Sequence, residues 1–333
     1  MATGRFFIEV GLPKQKSHGD GVLFPMVLTP LSKTKLNVEK KLCDFLLAIK
    51  AEKPLLESLV KKRGVILFRG FPVITLSDFN DVVEAFDFPP KLYIGGRGLR
   101  SNVIGRIMTV DSRPPEIKIP FHHEMSYLSD FPSKLFFFCE EEPGSGGETP
   151  IVLSHIVYEK MKEKHPEFVA KLEEHGLTYT KLMSDEDHPS LYAGRGWKST
   201  YMTNDKNAAE ERAEKQGTKL EWIGNTAKSI TGPMPAIRFD KENQRKTWFN
   251  SMVVGYNDPR DPQHCDVNIS TKLANGEPLS DSVMQDCLRI MEEECVAIPW
   301  KKGDVMLVNN LMVLHSRRPL VTPPRQILVS LCK

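Results

Sequence analysis

From Gly64 to the end of the chain, short apolar runs alternate with polar turns, and helical spacing appears in only a few places. Runs of a few apolar residues bounded by Gly, Pro, Asp and Asn have the length of strands. On that basis Gly64–Gly70 reads as a buried strand, and Leu135–Pro143 as a buried strand that turns polar at its end. Val296–Trp300, Gly303–Asn310, Leu311–Arg317 and Gln326–Leu331 read as further strands. Helical spacing is confined to a few places. Residues 36–63 read as two helices, the first capped by Asn37 and the second opening at Pro54 and ending at Gly64. Ser77 is expected to cap a helix to about Phe86. Residues 155–175 hold two short helices, with Pro166 in a first turn and Gly176 as a C-terminal cap, and Ser280 begins an amphipathic helix to about Glu294. Residues 184–232 are polar and irregular apart from a helix over 207–216, and read as a lid or an insertion. The chain has no internal repeat and no single linker, so one domain over residues 1–333 is expected. Many short strands with added helices predict a mainly β (α+β) fold, a decorated barrel or jelly roll, over an alternating βαβ fold.

Composition narrows the class. Of 333 residues, 40% are hydrophobic and 26% charged, the balance of a folded globular chain. The net charge is +2, so nothing calls for a nucleic-acid partner, and Lys61-Lys62-Arg63 and Lys301-Lys302 read as solvated surface. Six cysteines form no Cys-x-x-Cys pair, which favours reduced thiols and an intracellular setting. The N-terminal residues contain no apolar run of signal-peptide or membrane-spanning length, so a cytoplasmic location and no membrane partner are expected.

The candidate chemistry starts in Phe121-His-His-Glu-Met-Ser-Tyr127. This is not the zinc-protease pattern, because the position four after His123 is Tyr127 and not a second histidine. As a strand, it would send His122 and Glu124 to one face and His123 to the other. His315 follows the Gly303-Asp304 turn at the end of a strand-like run. A single histidine there is more often a core or surface residue. Combined with His122 and Glu124, it completes the two-histidine, one-carboxylate set of non-haem iron oxygenases, which leaves coordination positions for a chelating cosubstrate and dioxygen. The glycines of Gly144-Ser-Gly-Gly147 lack the lysine of a phosphate loop, and no Gly-x-Ser-x-Gly or activated cysteine is present.

The ordered set of these motifs resembles the taurine dioxygenase/TfdA-like Fe(II)/2-oxoglutarate dioxygenases over roughly residues 60–333. His122-His-Glu124 is similar to their His-x-Asp segment, with glutamate replacing aspartate as in clavaminate synthase-like members. Gly146-Gly-Glu-Thr149 resembles their Gly-Gly-x-Thr, Arg245–Asn250 a run inside the barrel, and Gly303-Asp304, Asn310 and His315-Ser-Arg317 the strand bearing the distal histidine.

The resemblance implies a double-stranded β-helix core, Fe(II) held by His122, Glu124 and His315, and 2-oxoglutarate contacted by Thr149 and Arg325, the latter ten positions after His315. It implies a dioxygenase that consumes dioxygen and 2-oxoglutarate, releases succinate and carbon dioxide, and oxidises a small molecule, with hydroxylation the expected outcome. Arg317 and Arg318 are candidate contacts for an anionic substrate, and Tyr127 and the residues near Asn102 are candidate pocket linings. A non-catalytic metal-containing barrel and a cupin-type enzyme without 2-oxoglutarate are the alternatives. The substrate itself is not legible.

Overall fold

A computed structural model describes all residues except 1, 19–20, 32–36, 38, 111–112, 189–193 and 257–268. Cys265 and part of the stretch expected to hold the first helix lie outside the described residues. Four of the strands expected from the apolar runs join one large sheet. At its centre Lys134–Glu141 is flanked antiparallel by Val305–Asn309 and Gln326–Cys332, with Val65–Phe68 next to Val305–Asn309. Met26–Pro30 then adds in parallel beside Val65–Phe68. Alternation along these strands divides the apolar residues between two faces. Phe136, Phe138, Leu307 and Ile66 pack against helices Leu42–Arg63 and Leu76–Phe86. Leu135, Phe137, Met306 and Val308 face the other way, into the core that surrounds the candidate site.

A second, three-stranded sheet covers that face, in the order Ile151–Leu153, Val313–Arg317, Ile119–His122. The Phe137 ring lies 5.3 Å from the His315 ring, so the two sheets meet at the candidate site. A buried pair closes one end: Arg69 Nε donates to Asp304 Oδ1 at 2.9 Å, and Asp304 is 1% exposed. The fold is thus mixed α+β, built on strands.

Several local expectations are corrected. The expected pair of helices is present over 42–63, meeting at a kink at Glu52, two residues before Pro54, where the ring removes a hydrogen-bond donor and crowds the preceding turn. The N-cap of the first is Lys41, not Asn37. The next helix is capped by Thr75 and not Ser77, because Asp78 at the third position completes a reciprocal box with Thr75. Val296–Trp300 is not a strand: Val296 alone pairs with Ile151, and Pro299 cannot extend a ladder. The helices Ser154–Lys164, Pro166–His175 and Asp281–Glu294 stand where the pattern predicts.

The largest correction concerns 184–232. Thr218–Ile223 and Thr226–Met234 form a hairpin that joins Leu177–Met183 and Ile269–Leu273 in a four-stranded antiparallel sheet. The inward positions of Thr226–Met234 are Ala227, Ser229 and Thr231, too small and too polar to mark a strand by hydropathy. With helix Lys206–Glu214 this sheet encloses a small core around Trp197, Tyr201 and Ala213. No helix among the described residues is long and apolar enough to cross a membrane.

Candidate active site

Strand register brings the two candidate histidines together. His315 pairs directly across from His122, and Ile151 flanks His315 on its other side. Partners in an antiparallel ladder project to the same face, and the two imidazole centroids are 4.3 Å apart. The strand ends at His122, so Glu124 lies in the following turn and not in the strand expected for it. Met125 then takes φ +56°, a costly conformation for a side-chain-bearing residue. The turn still aims Glu124 at the histidines: Glu124 Oε2 is 3.8 Å from His122 Nε2 and 3.8 Å from His315 Nε2. One ligand atom from each of the three lies within 4.8 Å of the others.

Buried Asn310 holds that turn. Its Oδ1 accepts from the Glu124 N–H at 2.8 Å, and its Nδ2 donates to the carbonyls of Glu124 at 3.0 Å and Pro132 at 2.7 Å. His123 points away, as alternation predicts, and its ring is wedged between the carbonyls of Asn310 and Trp248. Trp248, from the Arg245–Asn250 run, is fully buried.

The protonation states suit a cation site. His122 Nδ1 is 2.8 Å from the Pro120 carbonyl and must donate to it, which leaves the Nε2 lone pair facing Glu124 and His315. Burial pushes His315 well below the ordinary histidine range, and the neighbouring His122 adds to this. Burial alone would raise the Glu124 carboxyl, but the Arg100 guanidinium and both imidazoles outweigh it and hold Glu124 well below the usual carboxylate range. Two neutral imidazoles and a carboxylate are the donors a divalent iron site uses.

Beside this triad the structure places Thr149 and Arg325 in the wall of the same cavity. Arg325 Nε donates to the Gly147 carbonyl at 2.7 Å. Gly147 has φ +65°, and a Cβ there would sit 2.7 Å from Arg325 Cδ, so this close approach requires glycine. Thr149 Oγ1 accepts from Trp300 Nε1 at 3.1 Å, which leaves its own hydroxyl proton available to donate.

Of the two candidate anion contacts beyond His315, Arg317 lines the cavity and Arg318 is not among its lining residues. Arg317 donates to the carbonyls of Arg113, Pro114 and Ile117 and so pins that segment, while Arg318 pairs with Glu292 at 3.0 Å. Tyr127 lines the cavity, and so do Gly98 and Arg100 close to Asn102, while Asn102 itself lines an adjoining groove. Two cavity residues, Arg97 and Arg100, carry no motif in the sequence. They stand in the glycine-rich stretch Gly95-Gly-Arg-Gly-Leu-Arg100, where nothing in spacing separates them from surface arginines.

The family described as "Taurine catabolism dioxygenase TauD, TfdA family" matches residues 28–332. The clavaminate synthase-like protein of Arabidopsis thaliana is 52% identical over 327 residues, covering 98% of this chain and 98% of that protein. The dapdiamide synthesis protein DdaC of Enterobacter agglomerans is 22% identical over 280 residues, 79% of this chain and 80% of that one. Among solved structures, AAD-2 in complex with Mn(II) and N-oxalylglycine aligns with TM-score 0.51 at 15% identity over 92% of each chain. A taurine dioxygenase from Burkholderia xenovorans aligns with TM-score 0.50 at 14% identity, covering 92% of this chain and 85% of that one, and both likenesses concern the fold. The chain therefore belongs to the TauD, TfdA family and is a dioxygenase of the Fe(II)/2-oxoglutarate class.

Proposed function

We propose that His122, Glu124 and His315 hold Fe(II), that Thr149 and Arg325 hold 2-oxoglutarate, and that the enzyme oxidises a small organic molecule by hydroxylation. The observation that carries this reading is one cavity lined by the three converging donors, Thr149 and Arg325. The two sheets that meet there read as the double-stranded β-helix core of a single domain over residues 1–333, with the helical part over 36–63 attached to it. Residues 184–232 serve as the insertion that shapes the substrate side. The free thiols of Cys139, Cys287, Cys295 and Cys332 support a cytoplasmic setting.

Bound iron supplies the redox chemistry that couples conversion of 2-oxoglutarate and dioxygen into succinate and carbon dioxide with insertion of one oxygen atom into a C–H bond. The chain's own part is binding and orientation. His122 presents Nε2 because Nδ1 is committed to Pro120, and Asn310 sets the Glu124 backbone from both sides. Arg325 is held at Nε by Gly147, which leaves its Nη groups to pair with a carboxylate through charge-assisted bonds. The Thr149 hydroxyl, oriented by Trp300, donates beside it. His315 and Glu124 are buried, which keeps bulk water from the reacting centre.

The decisive test is anaerobic. Fe(II) and then 2-oxoglutarate are added to metal-free protein, the weak visible charge-transfer band of the chelate is recorded, and succinate is assayed after oxygen is admitted. A band with slow succinate formation is expected, and His315→Ala should remove both while circular dichroism shows the fold retained. Tight iron binding without a band would favour the cupin-type alternative.

A further inference from the structure

Arg97 is 8% exposed and lines the cavity beside Gly98, Arg100 and Tyr127. Its guanidinium lies over the Tyr127 ring at 4.0 Å and near the Tyr179 ring at 5.6 Å. Its Nη1 is buried without a hydrogen-bond partner, and no salt bridge to Arg97 occurs among the described residues. The neighbouring groups supply no countercharge. Glu124 Oε2 is engaged by Arg100 at 2.9 Å, and burial pushes the Tyr179 phenol up to about 12, so that ring is neutral at physiological pH. A buried cation facing tyrosines gains some cation–π energy, but a buried Nη1 without a partner is costly unless a ligand completes it.

The loop that carries Arg97 is held in place. Gly95 N–H donates to the Thr200 carbonyl at 3.0 Å, Gln216 Nε2 to the Ile94 carbonyl at 3.1 Å, and Arg195 Nη1 to the Tyr93 carbonyl at 3.0 Å. Every one of these outside partners belongs to the 184–232 insertion, so the insertion presets the guanidinium. Arg97 also stands apart from the 2-oxoglutarate contacts: its neighbours are Tyr127 and Tyr179, whereas Arg325 is anchored at Gly147.

We infer that Arg97 is the binding residue for the oxidised substrate, and that this substrate carries a single carboxylate that closes a bidentate pair with the guanidinium. This rests on the function proposed above. A planar fork stacked on a ring matches a planar carboxylate. In the metal-free protein Arg100 is balanced by Glu124, which leaves the Arg97 guanidinium without a carboxylate partner among the described residues.

The test uses matched probes: straight-chain and aryl-substituted monocarboxylic acids and α-amino acids, each beside its primary amide. They are titrated into anaerobic protein loaded with Fe(II) and 2-oxoglutarate, with perturbation of the chelate band as readout, and into metal-free protein, with thermal shift as readout. At least one acid should bind about tenfold or more tightly than its amide, a preference that a charge-assisted pair supplies. Arg97→Gln should abolish that preference and Arg97→Lys should restore it in part, with the chelate band retained in both. Equal binding of acid and amide, silence across the panel, or an acid preference that survives in Arg97→Gln overturns the inference. Failure of the chelate band to form would instead count against the proposed function, and the metal-free titration would still decide the role of Arg97.

Discussion

Arg100 Nη2 donates to Glu124 Oε2 at 2.9 Å, and this is the same carboxylate oxygen that faces both His122 and His315. The pair is buried, with side chains 8% and 6% exposed. Arg100 therefore neutralises in the metal-free protein a carboxylate that a divalent cation would otherwise neutralise. Removing one partner of a buried pair strands the other charge, at about 3–5 kcal/mol. Arg100→Gln is expected to destabilise the metal-free protein by roughly that amount, and Mn(II) should recover much of the loss. Glu124 keeps its orientation through Asn310, so removal of a nearby positive charge should tighten metal binding. The measurement is the rise in Tm on adding Mn(II), which should be larger in the variant; an equal or smaller rise would refute the idea.

Asn310 satisfies three backbone groups with one buried amide. Asn310→Ala leaves those groups without partners, at about 1–3 kcal/mol for each buried group left unsatisfied. Loss of several kcal/mol in urea unfolding, with weaker Mn(II) affinity as the Glu124 turn loosens, is the expected pair of effects. Destabilisation with unchanged metal affinity would show that Asn310 supports the fold alone.

Gly147→Ala tests the link between a backbone turn and the cosubstrate. The new Cβ would meet Arg325 Cδ at 2.7 Å and Nε at 3.0 Å in a backbone region that disfavours side chains. Arg325 must shift, so the KM for 2-oxoglutarate should rise about tenfold or more, the scale of one charge-assisted hydrogen bond. Mn(II) affinity should hold, because no metal ligand touches the turn. An unchanged KM would remove Arg325 from the cosubstrate site.

Stability should fall with acidity in the metal-free protein. Burial depresses His315 well below the ordinary range and His123 to about 3. An unfolded histidine gains its proton near pH 6.5, so below that pH the unfolded state binds more protons than the folded state. The stabilising contribution is complete above about pH 6.5 and is lost as pH falls toward the folded values, by up to about 1.4 kcal/mol per pH unit for each ring. The depressed Glu124 acts in the same direction further into acid. Urea unfolding at pH 7, 6 and 5 should show a progressive decline, and a flat profile would contradict it.

The candidate metal donors and cosubstrate contacts were legible because they sit in short local patterns. His122 and Glu124 are two apart, Thr149 follows two glycines, and His315 and Arg325 share the C-terminal strand region, so covalent neighbourhood already constrains them. Strands with large apolar side chains, such as Leu135–Cys139, were equally plain, since their inward face is unmistakably hydrophobic. The hairpin over 218–234 was not, because Ala227, Ser229 and Thr231 fill its inner face, and packing against Trp197 and Tyr201 supplies the burial that hydropathy does not show.

The sequence by itself determined which residue types could bind iron and 2-oxoglutarate and the mixed character of the fold, since both follow from local spacing and periodicity. Only the tertiary structure decided what the arginines do. Arg317, beside the candidate ligand His315, lines the cavity while donating to three backbone carbonyls, and Arg97 and Arg100, in a loop without a motif, line it too. A guanidinium's partners are set by segments distant in sequence, the Tyr127 and Tyr179 rings for Arg97 and the Glu124 turn for Arg100, and no local pattern records them.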